Sequence, residues 1–289
     1  MELITQFVAH DSYVLDLIFT KDSQTLISAG MDNQVNIWDV PTWERKKQLS
    51  HHSKSVNCLA LSSDETRLAS GSSDNQVVLW SFPDGELLNT FQDRKQVVSN
   101  VAFSHNGQAI GQVSYSGRFM VWDLEGHPII GAKAQPKNLG SIAFHPKGHL
   151  LAVSGIGGHI YIYAFPTGEL LKTLAGHHIA VGSLQFIENG RYLLSLGFEH
   201  SIKLWDATTW RETRSILTPL GTKSVTFNKN ETTVVLLREG KFQIWALPRW
   251  SERASIPIKP KSLSSAAFSP NGKLLAIGSA DKKIRIYRF

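Results

Sequence analysis

Seven aromatic residues divide the chain at nearly equal intervals. Trp38, Trp80, Trp122, Tyr163, Trp205, Trp245 and Tyr287 stand 42, 42, 41, 42, 40 and 42 residues apart. Each closes a similar stretch, as in "SAGMDNQVNIWDV", "SGSSDNQVVLWSF" and "SLGFEHSIKLWDA". Upstream of each anchor lies a short alternating run ending in an aromatic or apolar residue: "VLDLIF", "NCLAL", "SNVAF", "GSIAF", "GSLQF", "SVTF" and "SSAAF". A polar turn such as "SHNGQ", "HPKGH", "IENGR" or "SPNGK" follows, then a second apolar run such as "LISAG" or "LLAIG". Alternation broken by turn residues is the pattern of successive hairpins. A period of about 40–45 residues is that of four-stranded blades, and it predicts an all-β fold: a seven-bladed β-propeller of four-stranded antiparallel sheets.

The ends of the chain complete the pattern. The seventh unit stops at its third strand, while "ELITQF" near the start resembles the fourth strands "ELLNTF" and "ELLKTL" and has no preceding partner. Residues 2–7 are therefore expected to complete the last blade and close the ring, removing an open sheet edge. Residues 1–289 then form a single propeller domain, expected to be monomeric.

Composition narrows the functional classes. Hydrophobic residues make up 42% and charged residues 19% of 289, enough to bury a sizeable core. No apolar run approaches the roughly 18 residues of a membrane span, and the start of the chain has no basic stretch followed by an apolar core. The single cysteine, Cys58, allows no intramolecular disulfide and no cysteine-based metal cluster, which fits a cytoplasmic location, or a nuclear one in a eukaryote. The formal charge of +6 is mild and is spread along the chain without a basic run, the usual pattern of a solvated surface.

With these residues in place, the sequence resembles the WD40 repeat family over essentially its whole length. The family pattern places Gly-His about 28 residues before the Trp, and His10, His52 and His177 stand 28 residues before Trp38, Trp80 and Trp205. The resemblance implies hydrogen-bonded sets inside the blades: His10, Ser28, Asp32 and Trp38; His52, Ser70, Asp74 and Trp80; and His177, Ser195 and Trp205, with Glu199 in place of the Asp. The other four repeats are incomplete. A Ser, His and Asp together could suggest nucleophilic catalysis, but a serine nucleophile needs access to substrate and an oxyanion site, which a set repeated inside several blades does not supply. The pairs His51-His52 and His177-His178 invite a metal reading. One member of each pair is taken by the blade network, so no metal and no cofactor is expected. The glycines of "SGIGGHIY" read as a tight turn, because no Lys-Ser/Thr follows them.

The resemblance also implies where partners would be touched. Family interaction positions on the top face carry over to Tyr13, Leu15, Met31, Tyr115, Ile156 and Phe198, an apolar rim, with Lys223 and Arg238 as a basic arc. Such a surface suits a peptide with hydrophobic anchors and an acidic group. Trp43, Trp210 and Trp250 each lie five residues after an anchor, where two other repeats have Gly85 and Gly168. They are expected either to pack on a neighbouring strand or to form a second contact surface on the bottom face. The chain is thus expected to be a protein-binding scaffold whose partner is a protein or peptide. The alternative is nucleic acid or another acidic partner, held by Lys54, Lys95, Lys137, Lys223, Arg238 and Lys261. An enzyme is disfavoured, because Asp16 in "VLDLIF" is the one carboxylate evident on an inner strand and has no obvious partner in the sequence.

Overall fold

The computed structural model describes the whole chain except residues 93–95, 134–138, 229, 231, 248, 260 and 261, and the side chains of 132 and 133. Seven four-stranded antiparallel sheets follow one another along the sequence, the arrangement of an all-β seven-bladed β-propeller. In the first, Val14–Phe19, Thr25–Gly30, Gln34–Asp39 and Arg45–Ser50 pair in chain order. The expected pairing of the two ends is present: Glu2–Val8 lies antiparallel to Lys283–Arg288 and supplies the fourth strand of the last sheet. By its contacts the chain forms two compact units, Met1–Leu59 with Pro219–Phe289, and Ala60–Thr218. Among the described residues, no helix is long and apolar enough to cross a membrane.

The first hairpin turn of four repeats shows why these residues fold as they do. Thr20, Ser62, Ser104 and Ser269 each donate a hydroxyl to Asp22, Asp64, Asn106 or Asn271 two residues on, at 2.5–2.8 Å. The same hydroxyls accept the N–H of Thr25, Arg67, Ala109 and Leu274, where the second strand begins. A short polar side chain thus replaces the ladder bond that the reversal interrupts. The fifth repeat departs from this: "ENG" forms a single 3-10 turn, Glu188–Gly190. There the buried His145 of the fourth repeat acts as a wedge. Its Nε2–H donates to the Gly190 carbonyl at 3.0 Å, and its Nδ1 accepts the Lys147 N–H at 3.0 Å.

Bulges recur at two fixed places. One falls in the inner strand, at Val14/Asp16, Val98/Asn100, Leu139/Ser141, Val181/Ser183 and Leu263/Ser265. The other falls beside the aromatic anchor, as at Ile37/Trp38, Leu79/Trp80 and Val121/Trp122. A bulge re-aims one side chain and increases local twist, and here it turns the anchor toward the preceding sheet. Phe7 meets Trp38 at 4.8 Å between ring centroids, Phe91 meets Trp122 at 5.6 Å, Phe119 meets Tyr163 at 4.8 Å and Phe242 meets Tyr287 at 5.1 Å. The core accordingly lies between successive sheets, in clusters such as Phe119, Leu151, Val153 and Tyr163 in one unit and Phe242, Leu275, Ile277 and Tyr287 in the other.

Candidate interaction surface and the networks behind it

The histidine sets are buried bonding chains. In the first repeat, Trp38 Nε1–H donates to Ser28 Oγ at 2.9 Å, Ser28 lies 2.8 Å from His10 Nε2, and His10 Nδ1 faces the Asp32 carboxylate at 2.9 and 3.0 Å. With the Nδ1 proton directed at a carboxylate, the Ser28 hydroxyl donates to Nε2 and accepts from the indole, so each polar atom has a complementary neighbour. Burial works against the Asp32 carboxylate, but bonds from His10, Asp11 N–H and Gln34 N–H outweigh it and hold its pKa below the usual value. Gly30 is required beside this set, since a Cβ there would fall on the His10 ring.

The fifth repeat repeats the chain with Glu for Asp. Trp205 Nε1–H donates to Ser195 at 2.9 Å, Ser195 lies 2.6 Å from His177 Nε2, and Nδ1 bonds Glu199, which also accepts the Ser201 hydroxyl at 2.6 Å. Burial holds the His177 pKa down despite the carboxylate beside it. In the second repeat Trp80 donates to Ser70 at 2.9 Å, and Asp74 accepts the Gln76 N–H at 3.0 Å; His52 is buried in the same repeat. Ser28, Ser70 and Ser195 are fully enclosed. A serine so placed cannot meet a substrate, and its hydroxyl is committed to holding two strands and a loop together.

Two repeats use arginine where sequence reading found only an incomplete set. In the seventh, the buried Arg285 guanidinium bonds Ser279 Oγ at 2.8 Å, Asp281 at 2.5 and 3.1 Å and the Lys259 carbonyl at 2.7 Å. In the sixth, Arg238 Nε and Nη2 donate to the Leu220 carbonyl at 2.9 and 2.6 Å, and Nη1 reaches Gln243 at 3.4 Å. The signal was available for Arg285, which sits two residues before its anchor with Ser279 and Asp281 at the turn. Val235 occupies the sixth repeat's serine place, and Trp245 Nε1 is buried with no partner among the described residues.

Asp16 proves to have partners that lie far away in sequence. Its carboxylate accepts the N–H groups of Leu17 and Leu59 at 2.9 and 2.8 Å and the Ser265 hydroxyl at 3.2 Å. Burial pushes its pKa up to about 6 in spite of those three bonds. Asn100 and Ser141 make the same kind of link to the next inner strand, accepting from Ile142 N–H at 3.2 Å and Leu184 N–H at 3.0 Å. The inner-strand carboxylate is therefore a staple between repeats.

The turn after each anchor gives the second residue of the Trp-Asp pair its place. Asp39 accepts the Thr42 N–H and hydroxyl at 3.1 and 2.9 Å, and Asp206 likewise caps Thr208 and Thr209. Asp123 caps its turn by accepting both the backbone N–H and ring Nδ1–H of His127. Trp43, Trp210 and Trp250 adopt φ of 60°, 55° and 55°, the left-handed region that Gly85 and Gly168 occupy in other repeats. All three are half-buried. Trp43 packs on Phe7 at 6.0 Å, Trp250 on Phe227 at 6.2 Å, and Trp210 on the cluster containing Trp205.

The rim residues lie on short turns and at strand ends in each unit. In one unit, Tyr13 and Met31 are exposed and joined by a Met31 N–H to Tyr13 carbonyl bond of 2.8 Å, while Leu15 is half-buried. Lys223 is exposed, and Arg238 is occupied as described above. In the other unit, Tyr115, Ile156 and Phe198 are exposed, Phe198 by 54%. Ile156 bridges Ala180, Phe198 N–H donates to the Ala180 carbonyl at 2.8 Å, and Gly157 N–H donates to the Ile179 carbonyl at 2.6 Å. These bonds bring Ile179, an exposed residue that sequence reading missed, beside Ile156 and Phe198. The Phe198 ring lies over Gly182, where any Cβ would collide with it. Lys54 is exposed, whereas Lys95, Lys137 and Lys261 lie outside the described residues.

Comparison with known proteins agrees with this architecture. The family described as "WD domain, G-beta repeat" matches residues 1–39, 43–81, 168–206 and 255–288, slightly more than half of the chain. Relatives include TOPLESS-RELATED PROTEIN 2 of Oryza sativa subsp. japonica, 26% identical over 53% of this chain and 15% of its own length. SEC12-like protein 2 of Arabidopsis thaliana is 28% identical over 50% of this chain and 39% of its own. WD repeat-containing protein VIP3 of Arabidopsis thaliana is 29% identical over 51% and 38%. The chain thus aligns with less than half the length of each of these relatives.

Proposed function

The chain belongs to the WD40 family, whose propellers are generally non-catalytic interaction platforms, and from that premise we propose that it is a protein-binding scaffold. It takes a peptide or partner domain through apolar residues at its loops: the exposed Tyr13 and Met31 with the half-buried Leu15 in one unit, and the exposed Tyr115, Ile156 and Phe198 in the other. The observation that carries this reading is the exposed Phe198 ring, held over Gly182 beside Ile156 and Ile179 on bonded turns. Large apolar side chains kept in water on ordered backbone lose little entropy when a partner covers them. Trp43, Trp210 and Trp250, half-buried on the opposite turns, are a secondary contact candidate.

Affinity capture with the wild type beside Met31→Glu and Tyr115→Ala tests the reading. The expected result is loss of partner proteins from both variants at unchanged melting temperature. Identical partner sets would overturn the rim assignment. Capture that collapses between low and moderate salt, with nucleic acid in the eluate, would favour the basic alternative.

A further inference from the structure

The end of the sixth repeat carries a second kind of feature. The turn Pro219–Thr222 holds Leu220 76% exposed, yet its backbone is tightly braced. Thr222 donates its hydroxyl to the Pro219 carbonyl at 2.7 Å, Arg238 clamps the Leu220 carbonyl with two N–H groups, and Lys223 N–H bonds the Leu237 carbonyl at 2.8 Å. Arg238 is held in turn through Gln243, whose amide donates to Glu252 at 2.6 Å. An arginine spent on fixing an exposed leucine gains the fold little, since the leucine itself buries nothing.

In the same repeat a groove of about 690 Å³ opens between the turn at Glu239 and Gly240 and the segment Pro257, Ile258 and Lys259. Ile258 N–H bonds the Gly240 carbonyl at 2.8 Å, so the two walls are tied together, and Arg285 fixes the Lys259 carbonyl from the seventh repeat. Lys241, paired with Pro257 across the strands, and the exposed Lys223 and Lys259 form no ion pair among the described residues. Glu239 is the single carboxylate among the groove's lining residues.

We propose that this groove and the Leu220 turn together bind an acidic peptide segment carrying an apolar residue, which packs on Leu220 while its carboxylates face Lys223, Lys241 and Lys259. The proposal rests on the platform reading and gives it a partner chemistry. The site favours a peptide over nucleic acid, because Pro257 and the neighbouring exposed Leu220 offer apolar contact and, among the described residues, the groove lining has no aromatic ring on which a base could stack. Arg238 is a positioning residue here.

The test is fluorescence anisotropy on the full chain with a labelled peptide of repeated Glu-Glu-Leu. Competitors are the same peptide with Lys for Glu, the same peptide with Ser for Leu, and an oligo-dT strand. The acidic peptide should bind, and Leu220→Ser should weaken it about tenfold, the loss of one apolar anchor. The Ser-for-Leu peptide should lose a similar factor on wild type and little more on Leu220→Ser. The double variant Lys241→Glu/Lys259→Glu should abolish binding. Absence of binding to wild type, equal binding by Leu220→Ser, or displacement by oligo-dT at lower concentration than by unlabelled acidic peptide would overturn the proposal. If Tyr115→Ala loses captured partners while Leu220→Ser binds the peptide like wild type, the platform stands and the groove falls.

Discussion

A carboxylate on an inner strand has an effect on stability whose sign can be worked out. Burial lifts the Asp16 pKa from 3.8 to about 6, a shift equivalent to roughly 3 kcal/mol between protonation states. A raised folded pKa means the native state binds the proton more tightly than the unfolded chain does. The Asp16 contribution is therefore most favourable below pH 4, declines as pH rises to about 6, and stays low above it. Asp16→Asn keeps an acceptor for Leu59 N–H, as Asn100 does for Ile142, and removes the titration. Relative to the variant, the wild type should lose denaturant midpoint steadily between pH 4 and pH 6.5; parallel midpoint curves would show that Asp16 is not the group responsible. At the same scale, Ser28, Asp32 and Trp38 were legible because the family register places them, whereas two of the three partners of Asp16, Leu59 and Ser265, lie 43 and 249 residues away. Nothing in "VLDLIF" could reveal them.

The turns decide how closely repeats approach. Gly158, in the turn between strands Leu150–Gly155 and His159–Ala164, has φ of 73°, and a Cβ there would fall on the His177 carbonyl of the next repeat. Gly272 has the same φ of 73° with open space around it. The pair separates two costs: left-handed backbone alone is worth about 1–2 kcal/mol for an alanine, and the collision adds to it. Gly158→Ala should lower stability by at least about 2 kcal/mol more than Gly272→Ala, measured by urea unfolding; equal losses would mean that the Gly158 turn shifts aside freely. Reading "SGIGGHIY" as a turn identified the element. The approach of His177, which makes glycine obligatory at position 158, comes only from the packing of one repeat on the next.

At the scale of the whole molecule, one sheet is assembled from both ends of the chain. Glu2–Val8 pairs with Lys283–Arg288, and Phe7 covers Trp38 in the adjoining sheet. Deleting residues 2–7 should remove that cover and expose the edge of Lys283–Arg288, a template for association. A loss of even a couple of kcal/mol would lower the melting temperature by about 5 °C, and size-exclusion chromatography should show higher-order species. A monomeric deletion variant with unchanged melting would mean that the terminal strand contributes nothing to stability.

Repeat number, sheet architecture and the pairing of the terminal strand were legible in the sequence, and the family resemblance located the bonding chains of the first and fifth repeats. The first two follow from periodicity, because alternation and turn chemistry act within one repeat; the terminal pairing follows from a fourth-strand pattern left without a partner at the start of the chain, and the bonding sets follow from the family resemblance. Tertiary structure alone decided which side chains remain in water and which polar groups meet. Arg238 is a free cation in the sequence and a backbone clamp in the fold; Leu220 and Ile179 are unremarked loop residues in the sequence and exposed anchors in the fold. The reason is physical: burial, clamping and desolvation depend on neighbours brought from other repeats, and the period of a repeat carries no information about what its neighbours have substituted.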